Sequence, residues 1–401
     1  MKAGIEGFQS VRLKQLRLAL GLTQAALSDM VGRTCGDVAQ WESGQQAPQA
    51  AAFQRLCDFF GVSKNWLLEA RVSSQQDTPF FFRSQGHGAH TARDIARVRL
   101  DWLQEISYKL QESLEFTAVN IPHLTETHCE LISNQAIEQA ASDCRQAWRL
   151  GNAPISNVVQ VMENAGIVCA RTALGHLKME GVSNWCGLDQ RPYVLLIADK
   201  ANGIRNRFDA AHELGHIVLH RFITKEQCAS RHALLESQAH HFARAFLLPA
   251  EGFMRDVRWP AIDTLLNLKS RWKVSVSVLI TRCEELGVIN DVAAARLYKA
   301  HSARGWAQGE PLDEDVELER PQLLGRGVEM LVENKILSCE QVRQLLGMPI
   351  RVLEALCSLD DGYFERLGER LQVIDIRLRH RALMNNGAGG TAEILRFPIR
   401  K

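Results

Sequence analysis

Arg207-Phe208-Asp209-Ala210-Ala211-His212-Glu213-Leu214-Gly215-His216 sets two histidines four residues apart, with a glutamate directly after the first. Residues four apart on an α-helix lie about 40° apart around its axis, so His212 and His216 project from one face. Two imidazoles placed in this way can share one Zn2+ at roughly 2.0–2.1 Å. Glu213 lies beside them, where a carboxylate can take a proton from an attacking water. Phe208, Ala211, Ile217 and Leu219 make the predicted helix a buried one. His220 stands one turn further on, and its drift around the axis suits a polar neighbour better than a ligand.

A zinc site of this kind needs a third ligand. Glu236-Ser237-Gln238-Ala239-His240-His241-Phe242-Ala243 opens a second apolar helix that ends at Leu247-Leu248-Pro249, and Glu236 is the candidate. Two histidines and one glutamate with an open fourth position make a hydrolytic site rather than a closed structural one. The metzincin spacing is absent, because Val218 stands where glycine would be and Phe222 where a third histidine would be. His240, one turn after Glu236, can orient a ligand from behind or compete for the metal. His232 and His241 read as surface residues. Hydrolysis also calls for an oxyanion donor, for which Tyr298 and Arg282 are the candidates.

Around these helices the pattern alternates. The sequence predicts helices over 205–221 and 234–248, and a further helical stretch over 260–300. Strand-like runs precede them: Gly166-Ile167-Val168-Cys169-Ala170, Gly181-Val182-Ser183-Asn184-Trp185 and Tyr193-Val194-Leu195-Leu196-Ile197-Ala198. Residues 134–166 read as two helices about a turn at Gly151, and 91–114 as another. Residues 71–92 are polar except for Phe80-Phe81-Phe82-Arg83, which is too apolar for a free linker and is expected to dock as a strand. A charged break at 310–315 precedes a last helical region, 320–385. Its Leu- and Val-rich faces suggest dimerisation or ligand sensing.

The N-terminal part has a different logic. Leu13, Leu16 and Leu20 share one face of a first helix. Thr23 and Thr34 are placed to cap a second and, after Gly32-Arg33, a third helix, and Gly21 and Gly44 to stop helices. Phe53, Leu56 and Phe60 mark a fourth, and Ser63 starts a short fifth. Two short helices joined by a tight turn, the second presenting its N-terminus, form a major-groove reader.

Leu22-Thr23-Gln24 through Trp41-Glu42-Ser43-Gly44 resembles the XRE (lambda-repressor-like) helix-turn-helix family over residues 8–70. The resemblance implies that Gln24 sits where a phosphate is contacted. It also implies that Thr34, Cys35, Gly36, Asp37 and Gln40 face base edges, with Arg33 among the DNA-binding candidates, and that Arg17 and Glu42 form an internal ion pair. Residues 1–71 carry eight Lys/Arg against six Asp/Glu. So weak a positive charge points to a homodimer on a two-half-site double-stranded operator.

The 207–216 stretch, taken with Glu236-x-x-Ala239-x-x-Phe242-Ala243-x-x-Phe246-Leu247-Leu248-Pro249, looks like the ImmA/IrrE metallopeptidase family over residues 130–300. Leu268 to Ser275 matches the helix that follows in that family. This resemblance implies a compact α+β, zincin-like domain with a small sheet and a Zn2+ cofactor. His212, His216 and Glu236 become its ligands and Glu213 its general base. Family members act, or are thought to act, on transcriptional repressors in stress and mobile-element control. The chain departs from the family pattern at His240, where Asn or Asp is common.

Composition bounds the rest. Formal net charge is +1, so a nucleic-acid surface must be local. The 10 cysteines form no CxxC and read as reduced core thiols. The first residues lack the apolar stretch of a signal peptide, and no apolar run approaches the ~18 residues of a membrane span. The expected location is the cytoplasm, with no membrane partner.

The expected fold is mainly α with an α+β part. A five-helix DNA-binding domain (8–71) leads through a linker with a docking strand (72–92) to a peptidase domain (93–300, core 134–290). A C-terminal helical region (301–385) and a flexible tail (386–401) follow. The expected function is a DNA-binding transcriptional regulator whose zinc endopeptidase domain cleaves a regulatory protein, a partner repressor or itself. The alternative is a non-proteolytic regulator or antitoxin that uses the same domain as a sensor or toxin-binding module.

Overall fold

Side-chain caps and left-handed glycines set the N-terminal helices. The computed structural model describes residues 4–71, 78–84, 89–175, 179–199 and 202–365; the tail 386–401 and the end of the last helical region lie outside them. Helix α1 spans Ser10–Ala19, α2 Gln24–Val31, α3 Cys35–Glu42, α4 Ala50–Phe60 and α5 Lys64–Leu68. Thr23 Oγ1 accepts from the Ala26 amide at the start of α2, and Gly32 ends that helix at φ 62°. Thr34 and Asp37 form a reciprocal capping box on α3. Leu13, Leu16, Leu27, Val38 and Leu56 close the core of this unit. Leu20 does not join them. Helix α1 stops at Ala19, which leaves Leu20 at its C-cap, half exposed.

The long helix α6 (Ala89–Gln111) carries the five-helix unit on one flank. Arg12 of α1 is fully buried against it, with a two-pronged ion pair to Glu105 at 2.5 and 2.9 Å. The same guanidinium donates to the Glu69 and Ala70 carbonyls and lies 4.3 Å from the Trp66 ring centre. Removing one partner of a buried pair like this typically costs about 3–5 kcal/mol.

Four strands form a single mixed sheet in the order β1-β3-β4-β2: β1 Phe81–Ser84, β2 Val168–Thr172, β3 Met179–Trp185 and β4 Pro192–Ile197. Strands β2 and β4 run parallel, and the other pairs are antiparallel. Both faces are covered, which is why β4, at the centre of the sheet, reads as a continuous apolar run. Val168, Ala170, Val182, Tyr193 and Leu195 face a core shared with α6 and the N-terminal helices. Cys169, Trp185, Val194 and Leu196 face a second core.

Helices α7 (Asn134–Ala147), α8 (Val158–Asn164), α9 (Gly203–Leu219), α10 (Lys225–Ser230) and α11 (His232–Leu247) build that second side. They are followed by α12 (Ala250–Asp256), α13 (Ile262–Trp272), α14 (Val276–Glu285) and α15 (Asp291–Ala303). Helices α16 (Leu323–Glu333), α17 (Cys339–Leu346) and α18 (Ile350–Leu356) then return to the first core. Leu324, Val328, Leu331, Val342, Leu346 and Leu353 are buried there. Among the described residues of this region, these apolar positions are packed inside the chain, while Met330 and Ile336 stay exposed. The Gly347 carbonyl accepts from the Ser63 amide and the Leu345 carbonyl from Lys109 Nζ, tying this region to α5 and α6. All ten cysteines are free thiols, and only Cys35 is exposed. Among the described residues, no helix is long and apolar enough to cross a membrane.

Candidate metal centre

Helix α9 runs between the sheet and α11, and every residue of it except Arg205 is buried. Gly215 permits this, because a Cβ there would sit 3.1 Å from backbone atoms of Ala239 on α11. The two helices thus approach closely where Glu236 must face the histidines. His212 Nε2 and His216 Nε2 lie 3.1 Å apart, and the Glu236 carboxylate oxygens lie 3.4 Å from the first and 3.2 Å from the second. Donors held ~2.0–2.1 Å from a tetrahedral zinc would be about 3.3–3.4 Å from one another. The donor set therefore fits a single zinc ion in both chemistry and spacing. Burial would raise the Glu236 carboxyl, but hydrogen bonding to His212 and His216 outweighs it and holds the group far below the usual carboxylate range.

A chain of hydrogen bonds behind His216 fixes its tautomer. Gln238 Nε2 donates to the Cys129 and Ile132 carbonyls at 2.8 and 3.2 Å, which leaves Gln238 Oε1 to accept from His220 Nε2 at 3.1 Å. His220 Nδ1 is then the acceptor for His216 Nδ1, 2.9 Å away. With its proton on Nδ1, His216 turns an unprotonated Nε2 toward His212 and Glu236. Burial, with His216 alongside, pushes the His220 imidazole well below its usual range and keeps it neutral. His240 takes a different place. Its Nδ1 lies 2.7 Å from the Glu236 carbonyl and its ring packs edge-on to His212 with centres 4.4 Å apart. Among the described residues, the cluster able to hold a metal is His212, His216 and Glu236.

Glu213 is completely buried under β3. Ser183 Oγ donates to Glu213 Oε2 at 2.6 Å. A Cβ on Gly181 would lie 2.5 Å from Glu213 Oε1, so only glycine lets β3 pass this close.

The DNA-facing candidates lie far more open. Thr34, Cys35 and Gly36 are exposed at the start of α3, and Arg33, Asp37 and Gln40 are half-buried beside them. Asp37 is engaged in the cap, accepting from the Thr34 amide. Arg17 and Glu42 form the internal ion pair, at 2.6 and 2.9 Å. Gln24 donates to the same carboxylate at 2.8 Å, so it is held by the fold at the start of α2.

The sequence matches the model of an IrrE N-terminal-like domain, a peptidase family, over residues 162–284, and that of a helix-turn-helix domain over residues 10–67. This chain joins a helix-turn-helix DNA-binding domain to an IrrE N-terminal-like domain. No curated protein matches it.

The two oxyanion-donor candidates are bonded elsewhere in the fold. Arg282 is fully buried and bonded to Glu138 and the Leu248 carbonyl, and the Tyr298 hydroxyl lies 2.6 Å from Thr281 Oγ1. None of these partners belongs to the histidine–glutamate cluster. Gln238 and Ser183 were missed by sequence reasoning. The one signal for Gln238 was a polar residue among the apolar positions of its helix, and Ser183 was one of several polar residues in β3 with nothing to single it out.

Proposed function

We propose that this regulator is a zinc-dependent endopeptidase that cuts a regulatory protein, either a partner repressor or another copy of itself. What carries the reading is the convergence of His212, His216 and Glu236 at donor spacings that suit zinc, with Glu213 one residue from the first ligand. Zinc held by these three residues supplies Lewis acidity toward a carbonyl oxygen and a water. Glu213 takes the proton of the attacking water on its carboxylate and passes it to the leaving amine. Ser183 Oγ, donating to Oε2, sets the plane of that carboxylate. Gln238 and His220 hold His216 in the tautomer that presents Nε2.

The helix-turn-helix domain brings this chemistry to an operator. The small positive charge of residues 1–71 favours a dimer spanning two half-sites. Stress or mobile-element control is the proposed setting, supported by the family resemblance alone.

Elemental analysis of the purified chain tests the centre, beside His216→Ala and Glu236→Ala variants. The expected result is one zinc per wild-type chain, lost in both variants. Glu213→Gln should keep the metal and lose cleavage of the regulatory target. No metal in the wild type after zinc loading would overturn the peptidase reading and leave a regulator with a binding domain.

A further inference from the structure

The peptidase face carries a strand that comes from outside its own fold. Strand β1 belongs to the segment between the helix-turn-helix domain and α6, yet it forms the edge of the sheet, antiparallel to β3. Its register is informative. Phe81 lies opposite Ser183, and Arg83 opposite Gly181. Those two β3 residues are the ones in contact with Glu213. Phe81, on the face toward α9, stacks on the His216 ring with centres 4.8 Å apart and planes 11° from parallel. The same ring lies 5.7 Å from His220, and Phe81 is buried. Glu213, His212 and His216 are shut away as well, at 0, 0 and 1% exposure.

An extended peptide adds to a sheet through main-chain bonds to an edge strand and is selected by pockets for alternate side chains. The lane along β3 beside Glu213 is where such a peptide would bring a carbonyl to the base, and β1 fills it. The neighbouring cavity, about 550 Å³, opens on the other side of this strand. Phe81 itself lines it, with Phe80, Phe82, Cys228 and two of the proposed ligands, His216 and Glu236, so β1 stands between the cavity and Glu213.

We infer that the β3 edge over α9 is a binding site for extended peptides with an aromatic residue facing His216, and that β1 occupies it as an internal mimic of substrate. The inference rests on the peptidase reading above and names the substrate class of that site. β1 has four residues, and its register breaks between Arg83 and Ser84. A short, irregular edge strand of this kind opens at little cost. Exchange of β1 for a target strand is then the step that uncovers Glu213.

The test uses the full-length chain and a fluorescein-labelled peptide of sequence Pro-Phe-Phe-Phe-Arg-Ser, which copies residues 79–84. Fluorescence anisotropy is read with and without zinc. Phe81→Ala should bind the peptide about tenfold or more tightly than wild type, because its own strand competes less well. A peptide with Ala in place of its middle Phe should lose that gain. If Phe81→Ala does not fold, as judged by its thermal transition, Phe81→Leu carries the test with a smaller gain. Equal binding by folded variant and wild type would overturn the inference, as would zinc-triggered cleavage of the wild-type chain between residues 79 and 84, which would make β1 a substrate. Cleavage of a generic fluorogenic peptide separates the two readings. Tighter binding without any cleavage upholds the strand site while the peptidase reading fails. Equal cleavage by wild type and Phe81→Ala upholds the peptidase and sinks the strand site.

Discussion

Helices α3 and α9 each carry the candidate site residues of their half of the chain, and they are buried to opposite degrees. In α3 only Val38 and Trp41 are buried, and the candidate DNA contacts range from exposed (Cys35, Gly36) to half-buried (Asp37, Gln40). In α9 all residues but Arg205 are buried, including two histidines, a glutamate, an aspartate and an arginine. Polar groups removed from water must find partners, so α9 is surrounded by residues that make sense only in relation to it. Nothing comparable among the described residues constrains the exposed face of α3. A buried site writes its requirements into distant parts of the chain; an exposed one writes them into its ligand.

The largest effect that could break this contrast is at Glu213. Glu213→Gln keeps the shape and the Ser183 contact but removes the base, and should reduce peptide-bond cleavage by about 10²–10⁴-fold with zinc content unchanged. No single substitution on α3 should approach that effect on operator binding. If Glu213→Gln leaves cleavage intact, the burial of α9 serves the fold and not a reaction.

Gln238 comes next. Gln238→Leu fills a similar volume but frees His220, and through it His216, to adopt the other tautomer. Zinc affinity, measured by competition with a chelator, should fall about 10–100-fold, while the thermal transition of the metal-free chain moves by far less. An unchanged affinity would mean that the tautomer of His216 is set by the metal alone.

The two helices also differed in how far sequence disclosed them. The His-Glu-x-x-His spacing and the glutamate opening the next apolar helix were legible because helical geometry turns spacing into direction. The caps Thr23, Thr34 and Ser63 and the stops Gly21 and Gly44 were legible for the same local reason. Gln238 and Ser183 were not, since their meaning depends on Cys129, Ile132 and Glu213, more than 29 residues away in each case. What the C-terminal helices pack on was not legible, because an apolar stripe does not say what it meets; over the described residues theirs meets α6 and the N-terminal core. Leu20 misled because a periodic match continued one residue beyond the real end of α1.

Behind α11, Glu138 gives the contrast a pH dependence. Burial would raise its carboxyl, but hydrogen bonds from Arg282 and His241 hold it at about 2, against an ordinary 4.5. A depressed carboxyl stabilises the fold above its unfolded value, and that contribution disappears as pH falls from 4.5 through about 2. With a third of the side chain exposed, the contribution at neutral pH is ~1–3 kcal/mol. Urea unfolding of Glu138→Gln should show a loss of that size at pH 7 and almost none near pH 2. A loss that persists at low pH would assign Glu138 a packing role.

Arg33 should give the smallest effect, and it bears on whether α3 meets DNA at all. It precedes the capping box at the N-terminus of α3, where the Thr34 hydroxyl and the Asp37 carboxylate already take first-turn amides and Asp37 opposes a further anion. Arg33 would add one charge to a phosphate contact that the helix end does not favour. Arg33→Gln should therefore weaken binding to a DNA fragment retained by the intact chain only modestly, while flattening the dependence of log affinity on log salt by about 0.9. Gln40, one turn into the helix, should behave oppositely in Gln40→Ala, losing discrimination between fragments with the salt slope unchanged. If neither slope nor discrimination moves, the exposed face of α3 is not against DNA. The unused polar surface of the short helix would then need a protein partner, and the contrast with α9 would become one between two protein-binding faces.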